Sequence, residues 1–172
     1  FDLAKSRNLK PQDFTNDMFD KTRYGYKAPA VPGTVAGLLE AHEKFGKLSL
    51  QEILEPVIKQ AEEGILVSYD LSKAIEDTKQ LKFDSESLKI YFNNGEAIKE
   101  NSIFKRPDLA KTFRNISKQG KNGFYKGEVA EKIIKAMNAN GGLFSLEDLE
   151  NYEATFSPPL IASYRGNLVF TA

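Results

Sequence analysis

Apolar residues recur at helical spacing along most of this 172-residue chain, and glycines end many of the segments that they form. This pattern predicts helices that bury one face each, joined by short connections. The predicted helices cover about 13–19, 34–45, 49–63, 69–81, 107–119 and 128–139, with a further short helix beginning at Ser145.

Capping residues and prolines refine these helices. Ser49 with Glu52, and Ser145 with Asp148, are spaced so that each pair can cap the start of a helix. Pro56 lies inside the second long segment, where it removes a backbone donor and is expected to kink or divide the helix.

Two stretches depart from helical spacing. Residues 89–92 predict a short extended segment before a turn at 93–95, and residues 160–164 and 168–170 predict a hairpin around 165–167. The sequence therefore predicts an α+β fold, a mostly helical lobe with a C-terminal β-hairpin. We expect the sheet to be completed by polypeptide outside the chain.

Composition excludes several classes of function. The 24 basic residues balance the 24 acidic ones, so no basic surface for nucleic acid or anionic lipid is expected. The chain has no cysteine, which rules out disulfides and thiolate metal sites within it. No apolar run reaches the roughly 20 residues of a membrane-spanning helix, and no signal peptide is visible. The first residue is Phe1, so the chain is expected to be cut from a longer one.

Few residues offer chemistry of their own. His42, the single histidine, lies on the apolar face of a predicted helix and is expected to be structural; one histidine cannot form a histidine metal cluster. The Pro32–Gly33–Thr34 turn could bind an anion at a helix start or serve only as turn and cap. Gly141–Gly142 could supply backbone donors to an oxyanion or end the preceding helix. Carboxylate pairs at 62–63 and 147–148 are interpreted as solvated surface charge.

Several sequence blocks, taken in order, resemble the large subunit of γ-glutamyltranspeptidases, the glutathione hydrolases. The blocks are VPGTVAG at 31–37, HEKFG at 42–46, EP at 55–56, AEEG at 61–64, PDLAK at 107–111, GFYKGEVAEKI at 123–133, GGLFSLEDLENY at 141–152 and YRG at 164–166. The resemblance covers nearly the whole chain, so residues 1–172 are interpreted as part of one large-subunit domain. It implies the four-layer αββα sandwich of N-terminal nucleophile hydrolases.

The same resemblance implies an activity whose nucleophile lies elsewhere. In this family a zymogen cleaves itself before a threonine, and that threonine, at the start of the small catalytic subunit, attacks γ-glutamyl amides. The internal Thr34, Thr112 and Thr155 match no nucleophile position, so no catalytic residue is assigned in the chain. The implied partner is the small subunit of the same precursor, no metal or cofactor is implied, and the location is periplasmic or extracellular. A relative acting on poly-γ-glutamate capsule, a cephalosporin-acylase-like amidase and a non-catalytic scaffold are the alternatives.

Arg7 is the one substrate-binding residue that the resemblance implies. The family places an arginine four residues before a proline, and Arg7 stands so before Pro11, with Asp17–Met18–Phe19 following at the family's spacing. The planar guanidinium can grip the substrate α-carboxylate through two parallel bonds. The chain departs from the family's usual Phe-Arg-Glu at Ser6–Arg7–Asn8, and read without the resemblance Arg7 is an exposed surface arginine.

Overall fold

The computed structural model describes residues 24–171. Within that range the chain forms helices joined by short two-stranded ladders, and it ends in a longer hairpin. The helices are α1 (Thr34–Phe45), α2 (Leu50–Glu63), α3 (Tyr69–Asp77), α4 (Ser85–Tyr91), α5 (Pro107–Gln119), α6 (Asn122–Tyr125), α7 (Gly127–Ala139) and α8 (Leu146–Glu150), with a 3₁₀ segment at Lys79–Phe83. The strands are β1 (Ile65–Leu66), β2 (Phe92–Asn93), β3 (Glu96–Ala97), β4 (Ile103–Phe104), β5 (Leu160–Tyr164) and β6 (Asn167–Thr171).

The helix-start signals work as predicted. Ser49 and Glu52 form a capping box at the start of α2, and Ser145 and Asp148 form a second one at α8. Of the two outcomes expected at Pro56, a kink or a division, the division does not occur, because α2 runs from Leu50 to Glu63 with Pro56 inside it. A proline in the second turn of this helix interrupts one backbone bond, and packing against α5 can offset that loss.

One predicted extended segment is helical instead. Residues 89–91 belong to α4. Asp84 caps the start of this helix, because its carboxylate accepts a hydrogen bond from the Ser87 amide at 2.7 Å. Leu88 and Tyr91, three residues apart, pack against the same buried cluster, so helical spacing prevailed over the β preference of this short aromatic run. The helix predicted over 69–81 likewise ends at Asp77 and gives way to the 3₁₀ segment.

Three antiparallel ladders lie within residues 24–171. They pair β1 with β4, β2 with β3, and β5 with β6. The predicted turns hold at two of them, since Asn94–Gly95 and Arg165–Gly166 both have positive φ, as a two-residue hairpin turn requires. The described chain is therefore α+β, helical with a C-terminal hairpin, as the sequence predicts.

Most of the buried side chains form two separate clusters. The larger cluster joins α1, α6, α7 and α8, and the smaller one lies around α3 and the β2–β3 ladder. The larger cluster is built on Ala36, Tyr125, Ala130, Met137, Phe144 and Leu149, and the smaller on Val67, Ile75, Phe92 and Ile98. Tyr26 packs against the larger cluster and donates a hydrogen bond to Asp84 of the α4 cap at 3.3 Å, which links the two regions.

Candidate functional site

Arg7, the substrate-binding residue implied by the sequence, lies outside the described residues. The short helix predicted over 13–19 lies outside them too. Both stay predictions. The candidate sites described below lie in residues 24–171.

The start of α1 is occupied by a tyrosine. The Ala36 amide donates to the Tyr125 hydroxyl at 3.1 Å, and that hydroxyl donates to the Pro32 carbonyl. Burial raises the pKa of Tyr125, so the phenol stays neutral and able to donate at physiological pH. A side chain on Gly33 would overlap the Tyr152 ring, which stacks on Tyr125 with centroids 5.8 Å apart. Because a hydroxyl already binds this first turn, the geometry favours turn and cap over an anion site.

The second glycine pair is also engaged. The Gly142 amide donates to the Met137 carbonyl at 2.7 Å, and Gly141 has a φ of 71°. This left-handed turn after α7 is a helix C-terminal cap, in which the orphan carbonyl is satisfied by the following amide. The Gly142 donor is therefore used by the helix end, which supports the structural interpretation over an oxyanion site.

His42 is structural, as predicted. Its Nε2 lies 2.8 Å from the carbonyl oxygen of Leu48, in the connection between α1 and α2, and the ring is partly exposed. In residues 24–171 no three His, Asp or Glu side chains come together in a way that could hold a metal ion. No helix of that described part is long and apolar enough to cross a membrane.

The acidic side chains take part in surface ion pairs and caps. Glu62 receives a two-bond contact from Arg114 that ties α2 to α5, and Glu63 and Glu147 are exposed. Asp148 differs from the expected solvated carboxylate, because it is half-buried and caps α8.

Glu128 lies between two lysines, Lys111 of α5 and Lys132 of α7. Hydrogen bonds from Lys111 at 2.7 Å and Lys132 at 2.8 Å lower the pKa of Glu128 to about 2. These groups line a shallow cleft between α5 and α7, but Glu128 is already paired on both sides. The cleft therefore resembles a salt-bridged surface more than a binding site.

Sequence reasoning missed two tertiary contacts, the Tyr125 hydroxyl bonds and the Glu62–Arg114 pair. Tyr125 lies in the GFYKG block at 123–127, but its partner Pro32 is 93 residues away, so no local pattern could pair them. Glu62 and Arg114 lie 52 residues apart on separate helices, so no local spacing could pair them.

Two apolar surfaces of the described chain are open. The first is a groove of about 290 Å³ between α1, α2 and α5. The second is the β5–β6 hairpin, whose strand residues are all exposed. The groove is lined by Val35, Leu38, Leu39, His42, Leu50, Ile53, Leu54, Phe113 and Ile116. Apart from His42, the side chains that line the groove are apolar.

A sequence model described as Gamma-glutamyltranspeptidase matches residues 2–172, almost the whole chain. The chain belongs to the γ-glutamyltranspeptidase family. It corresponds to the large-subunit portion of such proteins.

Sequence identity to known relatives supports the same family assignment. The glutathione hydrolase proenzyme of Pseudomonas sp. (strain A14) is 36% identical over 172 residues, which cover 99% of this chain and 30% of the relative. The capsule biosynthesis protein CapD proenzyme of Bacillus anthracis is 37% identical over 142 residues, covering 83% of this chain and 26% of the relative. The chain thus spans about 30% of the length of the curated relatives it matches.

A solved structure confirms the fold. The crystal structure of Helicobacter pylori γ-glutamyltranspeptidase superposes with a TM-score of 0.84 at 37% identity, covering 87% of this chain and 44% of that one. The α+β architecture is therefore that of a γ-glutamyltranspeptidase, and the helical lobe is one part of the larger N-terminal nucleophile hydrolase fold.

Proposed function

We propose that this chain is part of the large subunit of a γ-glutamyltransferase or glutathione hydrolase that cleaves γ-glutamyl amides. The observation that carries the proposal is the family match over residues 2–172 together with 36% identity to a glutathione hydrolase proenzyme. Residues 1–172 then form a partial large-subunit domain, and the partner is the small catalytic subunit released from the same precursor.

The reaction would divide between the two subunits. The N-terminal threonine of the small subunit attacks the γ-glutamyl carbonyl with its own α-amine as base, and an oxyanion hole stabilises the intermediate. Water or an amino acid then resolves the acyl-enzyme. Arg7 contributes from this chain by binding the α-carboxylate, which fixes where the γ-carbonyl lies relative to the threonine.

The described residues support this division. Within 24–171 the candidate donors at α1 and after α7 are engaged in caps, and His42 binds a backbone carbonyl. This region would hold the fold in place and leave the chemistry to residues beyond it. We place the protein in the periplasm or outside the cell, by analogy with the family.

The test uses the full precursor encoded by the gene. Incubation should convert it into two subunits on a denaturing gel, and the processed protein should release p-nitroaniline from γ-glutamyl-p-nitroanilide. Replacing the first small-subunit threonine with alanine is the matched control and should abolish both processing and release. A precursor that stays intact and inactive under these conditions would favour the non-catalytic scaffold.

A second substrate class has a specific observation behind it. The 37% identity to a capsule biosynthesis protein makes poly-γ-glutamate a candidate acyl donor, because its backbone is also a chain of γ-glutamyl amides. Competition between glutathione and poly-γ-glutamate for the processed enzyme separates the two. The higher kcat/KM identifies the substrate class.

A further inference from the structure

The chain contains three Asn–Gly steps, which begin at Asn94, Asn122 and Asn140. This dipeptide is chemically labile, because glycine has no side chain to shield its amide nitrogen from the neighbouring asparagine carboxamide. The reaction between the two groups needs an amide nitrogen that is exposed and free of hydrogen bonds, and a backbone that can rotate. The three steps meet these conditions to very different degrees.

The step at Asn94 lies open in the turn between β2 and β3. Asn94 and Gly95 are both exposed, and their φ angles of 51° and 85° are those of a two-residue hairpin turn. Among residues 24–171, no group accepts a hydrogen bond from the Gly95 amide, and the Asn94 carboxamide has no hydrogen-bond partner. Each strand of this ladder contains only two residues, so few bonds hold the turn against local opening.

The other two Asn–Gly steps are held by hydrogen bonds. The Gly123 amide donates to the Gly120 carbonyl at 3.0 Å, and Gly123 is buried, so Asn122 adjoins a bonded and shielded nitrogen. The Asn140 carboxamide donates to the Ala136 carbonyl at 2.9 Å, which fixes it against the end of α7. Each of these bonds has to open before the two groups can react, and this slows the reaction relative to an unbonded step.

We propose that the β2–β3 turn makes Asn94 a site of spontaneous deamidation. The deprotonated Gly95 amide nitrogen attacks Cγ of Asn94, the new N–C bond closes a five-membered succinimide, and the side-chain nitrogen leaves as ammonia. Water then opens the ring at either carbonyl and gives aspartate or isoaspartate. The net change is the addition of water and the loss of ammonia, without oxidation or reduction. The reaction is independent of the proposed function.

Both products change the turn. Aspartate adds a negative charge two residues from Glu96, and isoaspartate moves a methylene group into the backbone of the connection that sets the Asn93↔Glu96 register. Phe92 and Ile98, on either side of the turn, are 7% and 6% exposed and belong to the smaller buried cluster. An altered turn therefore disturbs the packing of this cluster, so deamidation should lower the stability of the protein.

Incubation of the full-length protein tests the assignment. The protein is kept in mildly alkaline buffer made with heavy-oxygen water, either native or in urea, and is then digested. Mass spectrometry gives the deamidated fraction at each Asn–Gly step, and the isotope separates reaction during incubation from reaction during digestion. Asn122 and Asn140 are internal controls, because glycine follows all three asparagines.

In the native protein, Asn94 should deamidate roughly 2- to 10-fold faster than Asn140, the factor expected for one hydrogen bond, and faster still than Asn122. In urea the three rates should converge. A native rate at Asn94 that does not exceed those of Asn122 and Asn140 would overturn the proposal. An excess at Asn94 that persists unchanged in urea would overturn it too, because the turn would then have no part in the reaction.

Asn94→Gly is the matched variant, since glycine also adopts positive φ and carries no carboxamide. Isoelectric focusing should show an acidic form that accumulates in the parent and much more slowly in Asn94→Gly. Equal accumulation in both proteins would reject Asn94 as the main site. The isolated acidic form should unfold at a lower urea concentration than the fresh parent, and an unchanged midpoint would reject the effect on the smaller cluster.

Discussion

The Tyr125 hydroxyl donates to the carbonyl oxygen of Pro32, 93 residues earlier, and accepts from the amide two residues into α1. One phenol thus joins the GFYKG block to the start of the first long helix. The stacked Tyr152 ring lies beside it. This contact explains a sequence block that resembles the family without any catalytic role for it.

Replacing Tyr125 with phenylalanine keeps the ring packing and removes both hydrogen bonds. Because the Ala36 amide and the Pro32 carbonyl lose their buried partner, we expect about 1–3 kcal/mol less stability. Urea unfolding of the full protein measures this. Tyr69→Phe, at an exposed ring, is the control and should change stability by less than about 0.5 kcal/mol. Equal effects at the two positions would contradict the assigned contact.

Glycines in two helices should respond oppositely to alanine. A side chain on Gly123 would overlap the backbone of Asn115, so Gly123→Ala should cost about 1–3 kcal/mol. Gly37 lies inside α1 with nothing within 4 Å of an added methyl group, so Gly37→Ala should stabilise by about 0.5–1 kcal/mol. Thermal unfolding of both variants checks the signs. A loss of stability for Gly37→Ala would show that α1 meets another surface there.

The Glu128 ion pairs make stability depend on pH. The pKa of Glu128 falls from 4.5 to about 2, first through the Lys111 contact and then through Lys132. Since the folded pKa lies below the unfolded one, this stabilisation is complete above pH 4.5 and is lost as the pH falls toward 2.

Glu128→Gln removes that contribution, so its urea midpoint should lie below the parent's at neutral pH and converge with it in acid. Glu131→Gln changes an exposed residue one turn further along α7 and is the control. The difference between its urea midpoint and that of the parent should not shrink as the pH falls. A Glu128→Gln gap that stays constant across the acid range would contradict the lysine pairing.

Arg7→Ala should raise KM for γ-glutamyl substrates strongly, because the substrate carboxylate loses charge-assisted bonds. Each such bond, at about 1.5–3 kcal/mol, corresponds to roughly a 10- to 150-fold effect. Arg7→Lys should recover part of the loss, since it keeps the charge without the planar fork. Arg114→Ala is the matched control: it breaks the Glu62 pair, so it should lower the urea midpoint while KM stays unchanged. An unchanged KM for Arg7→Ala would remove Arg7 from the site.

Local signals in the sequence predict much of this fold. The bounds of α1 and both capping boxes follow from apolar spacing and from side chains three residues apart. The hairpin follows because Arg165–Gly166 separates two apolar runs. These features depend on interactions between residues a few positions apart, so they can be predicted from a single sequence.

The misses depend on contacts distant in sequence. The segment at 89–91 has strand-like residues, yet Leu88 and Tyr91 pack on a cluster that includes Val67 and Ile98. The β-strand propensity of these residues is too weak to outweigh such packing. Among the candidate site residues, the structural role of His42 could be predicted from its place on the apolar face of a helix. The hydrogen bonds at the start of α1 could not be predicted, because they come from Tyr125, which is distant in sequence.

The hydrogen bonds of Tyr125 reach only main-chain atoms, the Ala36 amide in α1 and the carbonyl of Pro32, two residues before α1. Any amino acid supplies a carbonyl at position 32, and any except proline supplies an amide at position 36. Substitutions at positions 32 and 36 would therefore preserve the two hydrogen bonds of Tyr125, whereas loss of its hydroxyl group would remove both. In divergent relatives, a tyrosine at the position of Tyr125 should therefore indicate this contact better than the sequence of residues 32–36 does.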